Sequence, residues 1–184
     1  RKNTRMSIED ALSKIIRMAE SAASAGKPVQ VSVQSAFGCG YEGPVSQERV
    51  LRIVDAYLEA GLQQISLADT AGHAEPVSVQ ERFSKLVEAH PDVTWACHFH
   101  DTYGMGLANS VAAFQAGVES FESAFGGLGG CPFTSVAGGN VCTEDLIHLF
   151  QRQGHLQHLK VEPLIDVARE AAEFFEKELP GSIY

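Results

Sequence analysis

The chain has 184 residues, of which 45% are hydrophobic and 20% charged, and this composition is that of a globular domain with one sizeable core. Its formal net charge is −9 at pH 7, and the absence of a basic cluster argues against nucleic acid and anionic membranes as partners. No apolar run approaches the ~20 residues that a membrane span requires.

Strand-like and helix-like segments alternate along the whole chain. A capping box at Ser7 and Asp10 opens the first helix, Ser46 opens the second, and Gly61 ends it. Six helices are predicted over residues 8–25, 47–60, 77–89, 107–116, 143–151 and 161–179. Four strands are predicted over residues 29–33, 65–67, 93–98 and 118–123. This alternation predicts an α/β fold with a parallel sheet of βαβ units, either in a (β/α) barrel or in an open doubly wound sheet.

A pair of histidines, His98 and His100, ends the apolar third strand. Their side chains face the same way because strand side chains alternate between faces. This arrangement favours one shared divalent metal ion over two solvated rings. Asn140 follows two glycines and offers an amide oxygen, which suits Mg²⁺ or Mn²⁺ better than a thiol-rich zinc site does. Asp101 is interpreted as a carboxylate that orients a histidine ligand.

Three further residues have a functional and a structural interpretation. Cys131 lies in a glycine-rich run and is either a buried hydrophobe or an acid/base or gating thiol over the metal. Asp69 follows a strand, and Glu144 lies at the start of a helix. The residue type favours a capping role for both, and electrostatic stabilisation or proton relay is the functional alternative. The four cysteines form no Cys-x-x-Cys pair, which predicts free thiols in the cytoplasm or another reducing intracellular compartment.

Five runs occur in order and together resemble the 3-hydroxy-3-methylglutaryl-CoA lyases of the DRE-TIM metallolyase superfamily: GCGYEGPVS, LADTAG, HFHDTYG, GLGGCPF and SVAGGNVCTEDL. The resemblance implies a TIM barrel that uses Mg²⁺ or Mn²⁺ to cleave this acyl-CoA substrate to acetyl-CoA and acetoacetate. It implies metal ligands at His98, His100 and Asn140, catalytic groups at Cys131, His98, Asp69 and Glu144, and CoA contacts at Lys2 and Asn3.

Two other functional interpretations stay open. The His-x-His signal is shared with acyl-CoA-condensing synthases and aldolases of the same superfamily. A non-catalytic half-barrel that only binds metal is a third possibility.

The Asp-Arg-Glu signature that the resemblance leads one to expect at the first strand is missing. We therefore expect residues 1–184 to form one partial (β/α)₈ barrel domain: its last four βα units and a C-terminal helix, without the N-terminal strands. Such a chain is expected to be inactive alone. It is also expected to self-associate as a homodimer, because half a barrel exposes two strand edges.

Overall fold

The computed structural model describes residues 5–130 and 138–184, and its centre is a four-stranded sheet. The strands lie side by side in chain order, and every neighbouring pair is parallel. They are β1 (Val31–Val33), β2 (Gln64–Asp69), β3 (Thr94–Phe99) and β4 (Ser120–Glu122). The predicted α/β fold with a parallel sheet is therefore confirmed.

One helix precedes the first strand, and the other helices connect the strands or follow the last of them. In the described part of the chain they are α1 (Ile8–Ser24), α2 (Gln47–Glu59), α3 (Pro76–Ala89), α4 (Gly106–Gln115), α5 (Thr143–Arg152) and α6 (Glu162–Phe174). A short 3₁₀ turn spans Phe125–Gly127 and lies between β4 and α5 in the chain. None of the helices in residues 5–130 and 138–184 is both long and apolar enough to cross a bilayer.

Side-chain caps fix where the first helices begin. The Ser7 hydroxyl accepts a hydrogen bond from the backbone N–H of Asp10 at 3.0 Å, and the Ser46 hydroxyl accepts one from Arg49 at 3.3 Å. Both caps satisfy backbone donors that the first helical turn leaves without a partner. The sequence-based starts of α1 and α2 are confirmed.

The two faces of the sheet have different chemistry. One face packs against the helices and forms the core, with residues such as Ile65, Leu67, Cys97 and Phe99 almost completely buried. The other face carries small or polar side chains, because the alternation of the strand places the intervening residues there. Its members include Ser32, Ser66, Ala68, Ala96, His98 and Glu122. The histidine pair therefore lies on the face turned away from the core.

Helix α6 ends earlier than its apolar pattern predicts. The prediction ran to Leu179, whereas the helix ends at Phe174 and Glu176 adopts a positive φ of 50°. The reason is tertiary packing: Leu179 is buried against Gly126 of the 3₁₀ turn instead of continuing the helix.

Candidate metal-binding active site

The carboxyl end of β3 brings the two histidine rings together. The ring centroids of His98 and His100 are 5.2 Å apart, with an angle of 64° between the ring planes. His100 is 7% exposed, and its buried Nδ1 atom has no hydrogen-bond partner among the described residues. Burial, reinforced by the neighbouring His98, lowers the pKa of His100 against the effect of a backbone hydrogen bond with Gly138. The ring is therefore held in the neutral form that metal ions require.

Backbone pairing places Asn140 directly beside His100. The two residues form an antiparallel β-bridge. The N–H of Asp101 donates to the Gly139 carbonyl at 2.9 Å, and the N–H of Val141 donates to the Phe99 carbonyl at 3.1 Å. A residue forty positions away in sequence is thus fixed next to the histidine pair.

The side-chain amide of Asn140 is oriented by one hydrogen bond. Its Nδ2 donates to the Leu128 carbonyl at 2.7 Å, and its buried Oδ1 oxygen has no partner in the part of the chain that the structure describes. Buried polar atoms without partners are rare in folded proteins, so an unpaired oxygen beside an unpaired imidazole nitrogen indicates a ligand. These donors fit a divalent cation: the neutral imidazole and the hard amide oxygen are both common ligands.

Glu122 forms an ion-pair contact with His98. It lies in register with His98 across β3 and β4, and its Oε2 is 3.3 Å from His98 Nδ1, although without hydrogen-bond geometry. Gln30 donates to the other oxygen, Oε1, at 2.6 Å. The neighbouring His98 lowers the pKa of Glu122, so this group is a carboxylate at neutral pH.

Sequence reasoning missed Glu122 and assigned its role to Asp101. The structure corrects this assignment: Asp101 Oδ1 accepts a hydrogen bond from the N–H of Gly106 at 2.6 Å and caps the start of α4. The alternation of side chains along a strand could have identified Glu122, because Glu122 ends its strand on the same face of the sheet as His98.

Asp69 is placed on the opposite side of the sheet from His98. It is in register with Phe99, which faces the helices, and it is completely buried. Its two oxygens accept hydrogen bonds from the N–H groups of His73 and Ala74, both at 2.9 Å. Burial raises the pKa of Asp69 despite these bonds. These contacts are those of the capping interpretation, and the structure does not bring Asp69 to the histidine pair. Its catalytic role stays a prediction.

Glu144 is buried beside the 3₁₀ turn. Its Oε2 accepts hydrogen bonds from the Gly126 N–H at 2.8 Å and the Cys142 thiol at 2.7 Å, while Oε1 has no partner within residues 5–130 and 138–184. The carboxylate thus ties the start of α5 to the 3₁₀ turn, rather than capping its own helix. The unpartnered oxygen is available to a further donor, and a catalytic role for Glu144 stays a prediction.

Three other predicted site residues lie outside the described residues: Cys131, Lys2 and Asn3. Within residues 5–130 and 138–184, no group of three or more His, Cys, Asp or Glu side chains is arranged to hold a metal ion. The candidate set is therefore His98, His100 and the amide oxygen of Asn140.

The Cys142 thiol is expected to be chemically inert at neutral pH. Burial, together with its hydrogen bond to Glu144, raises the pKa of Cys142 to about 12. At pH 8 only roughly one thiol in 10⁴ is then ionised, and the thiolate is the reactive form. Peptide mass spectrometry after iodoacetamide treatment should show Cys39, which is partly exposed, labelled well before Cys142. Equal labelling of the two sites in the folded protein would contradict this account.

A family model and two relatives are similar to this chain in sequence. The family model described as HMGL-like matches residues 1–170. The hydroxymethylglutaryl-CoA lyase of Bacillus subtilis is 36% identical over 98% of this chain, which covers 60% of that protein. The (R)-citramalyl-CoA lyase of Chloroflexus aurantiacus is also 36% identical, over 100% of this chain and 58% of its own length.

The structural comparison gives the same result. An HMG-CoA lyase structure from Acinetobacter baumannii, in complex with coenzyme A and 3-methylmalate, superposes with a TM-score of 0.92 and 33% identity. The match covers 99% of this chain and 59% of that one. The expected fold, part of a TIM barrel, is confirmed. The chain spans about 60% of the length of the relatives that it matches.

Proposed function

Because this chain belongs to the HMGL-like family, we propose that it carries the metal-binding part of a carbon–carbon lyase site. The proposed reaction of the whole protein is the cleavage of 3-hydroxy-3-methylglutaryl-CoA to acetyl-CoA and acetoacetate. One observation carries the proposal: the Nδ1 of His100 and the Oδ1 of Asn140 are buried on bridged residues beside His98, and neither atom has a hydrogen-bond partner among the residues that the structure describes.

Under this proposal, His98, His100 and Asn140 hold Mg²⁺ or Mn²⁺. When bound, the cation supplies Lewis-acid stabilisation of the negative charge that develops on the substrate oxygens. Two imidazoles and one amide oxygen suit such an ion, and the remaining coordination positions are left for substrate and water.

The chain's own residues would move the protons of the reaction. A base removes the proton of the substrate 3-hydroxyl, and His98 is proposed to take part in this transfer; the bond between C2 and C3 then breaks and its electron pair enters the thioester enolate. Cys131 is proposed to donate a proton to that carbon, completing acetyl-CoA. Asp69 and Glu144 are proposed to support this chemistry from the loops that they tie down, and Lys2 and Asn3 to contact CoA.

Glu122 is proposed to orient His98 from behind. Histidine ligands commonly direct their second ring nitrogen at a carboxylate, and losing that carboxylate typically lowers metal affinity about 10–100-fold. We expect Glu122→Gln to weaken Mn²⁺ binding by that factor in isothermal titration calorimetry. The matched control is Glu119→Gln, an exposed residue just before the same strand, which should leave the affinity unchanged. Unaltered affinity in Glu122→Gln would contradict the orienting role.

A second substrate is favoured by a specific comparison. The citramalyl-CoA lyase relative matches this chain at the same identity as the hydroxymethylglutaryl-CoA lyase does. Both substrates are CoA thioesters with a tertiary hydroxyl group, so the same metal donors serve either one. An acyl-CoA-condensing synthase or aldolase, and a half-barrel that binds metal without turnover, are the remaining alternatives.

The test is a cleavage assay that uses both thioesters with Mg²⁺ or Mn²⁺ supplied. It is run on this chain and on a longer protein that carries it, with products followed by chromatography. Release of acetyl-CoA from 3-hydroxy-3-methylglutaryl-CoA that is lost in the His98→Ala variant supports the proposal. Faster cleavage of (R)-citramalyl-CoA reassigns the substrate. Tight Mn²⁺ binding without any turnover by the longer protein favours the non-catalytic alternative.

We also propose that two copies of the chain associate. The four-stranded sheet has two edge strands, β1 and β4, and its face away from the helices is lined by small and polar residues. Pairing of two such sheets would cover both edges and that face. Light scattering coupled to size-exclusion chromatography should give a dimer mass, and a monodisperse monomer would contradict the association.

The free thiols of Cys39, Cys97 and Cys142 support a reducing intracellular compartment.

A further inference from the structure

We propose that residues 179–184, called here the closing segment, position the side chain of Asn140 for metal binding. The segment follows α6 and folds back over the 3₁₀ turn and the start of α5. The inference depends on the proposed function only for the role of Asn140 as a ligand. The positioning itself rests on contacts within the chain.

The first contacts of the closing segment are with glycines of the 3₁₀ turn. Leu179 is 6% exposed and packs so closely on Gly126 that a methyl group added there would overlap its side chain. The N–H of Gly181 donates to the Gly126 carbonyl at 3.1 Å. Gly126 also has a positive φ of 58°, which favours glycine at this position. The turn and the closing segment are therefore packed backbone to backbone.

Pro180 reaches both sides of the hydrogen bond that orients Asn140. A methyl group built on Gly139, the residue before Asn140, would lie 2.8 Å from Pro180 Cγ. One built on Gly127, the residue before Leu128, would lie 3.0 Å from the same atom. Since the Asn140 amide donates to the Leu128 carbonyl, Pro180 packs against the neighbours of donor and acceptor alike.

An aspartate at the start of α5 holds the remainder of the segment. Asp145 is 9% exposed, and its carboxylate accepts hydrogen bonds from the N–H groups of Ser182 at 2.8 Å and Ile183 at 3.1 Å. The Tyr184 hydroxyl donates to the Leu179 carbonyl at 2.9 Å, which closes the segment on itself. Hydrogen bonds to a carboxylate are among the stronger ones in proteins, so Asp145 is the main anchor.

These contacts give Asp145 and Tyr184 a positioning function rather than a catalytic one. They act on Asn140 through Pro180 and the flanking glycines, and a metal ligand must be held within about 0.5 Å of its productive position. Loosening the segment should therefore let the Asn140 amide leave the Leu128 carbonyl and turn its oxygen away from the site.

The test compares Asp145→Asn and Tyr184→Phe with the control Asp166→Asn, an exposed acid on α6. The first readout is the side-chain amide resonance of Asn140 in the ¹⁵N-labelled, metal-free protein. We expect a shifted or split resonance in both test variants and an unchanged one in the control. Tyr184→Phe removes a single oxygen, so it keeps the test valid if Asp145→Asn does not fold.

The second readout is Mn²⁺ affinity. We expect about a 10-fold loss in each test variant, and no additional loss when either is combined with Asn140→Ala, because the ligand is then already absent. An Asn140 resonance that stays at its wild-type position in both folded test variants would overturn the inference. If the wild-type protein binds no Mn²⁺, the proposed function fails, and the Asn140 resonance still decides the role of the closing segment.

Discussion

Replacing His100 with alanine is expected to lower Mn²⁺ affinity by more than about 100-fold, since even residues that only orient a ligand contribute about 10–100-fold. The buried Nδ1 of His100 has no partner in the described ranges 5–130 and 138–184, and burial with the neighbouring His98 lowers the pKa of the ring. Removing the ring thus removes a ligand that is ready to bind. Isothermal titration calorimetry of the purified chain measures the change.

The matched control for this prediction is His148→Ala. His148 lies on α5 with an exposed side chain, so its loss should leave Mn²⁺ affinity at the wild-type value. Circular dichroism on both variants separates a lost ligand from a lost fold. A folded His100→Ala protein that binds Mn²⁺ as tightly as the control would contradict the assigned ligand set.

The second large loss of Mn²⁺ affinity is expected from a substitution at Gly129, a residue that the sequence analysis does not single out. Gly129 has a φ of 114°, and a methyl group built on it would overlap Asn140 Nδ2. We expect Gly129→Ala to displace the amide from its hydrogen bond with Leu128 and to lower Mn²⁺ affinity at least about 10-fold, as the loss of an orienting contact does. Calorimetric titration again provides the measurement.

Gly154→Ala separates this overlap from ordinary backbone strain. Gly154 also has a positive φ, 89°, but nothing lies within 4 Å of a methyl group built there. Its substitution should cost about 1–2 kcal/mol of folding free energy, the usual penalty of a left-handed conformation, without changing metal affinity. If Gly129→Ala behaves like Gly154→Ala in the titration, the Asn140 amide does not depend on this contact.

Local periodicity made the fold and the histidine pair predictable. Alternation along β3 is enough to place His98 and His100 on one face, and the two rings are indeed adjacent. The same rule, applied to the second strand, would have assigned Asp69 to the helix-facing side with Ile65 and Leu67. A position at the end of a strand does not by itself show which face the side chain takes, so the catalytic role of Asp69 stays a prediction.

Features that depend on contacts distant in sequence could not be predicted in this way. The neighbour of His98 is Glu122, and finding it requires the register between β3 and β4. Leu179 continues the apolar pattern of α6, yet the helix ends at Phe174 and Leu179 packs on Gly126 instead. In both cases the deciding contact lies outside the segment in which a periodic pattern is visible.

Pulsed electron paramagnetic resonance of the Mn²⁺-loaded chain tests the central assignment most directly, because it detects coupling between the ion and bound imidazole nitrogens. We expect ¹⁴N coupling from two imidazoles in the wild-type protein, from one in His98→Ala or His100→Ala, and from none in the double variant. A bound Mn²⁺ without nitrogen coupling in the wild type, or with unchanged coupling in the double variant, would contradict the assignment of this pair as metal ligands.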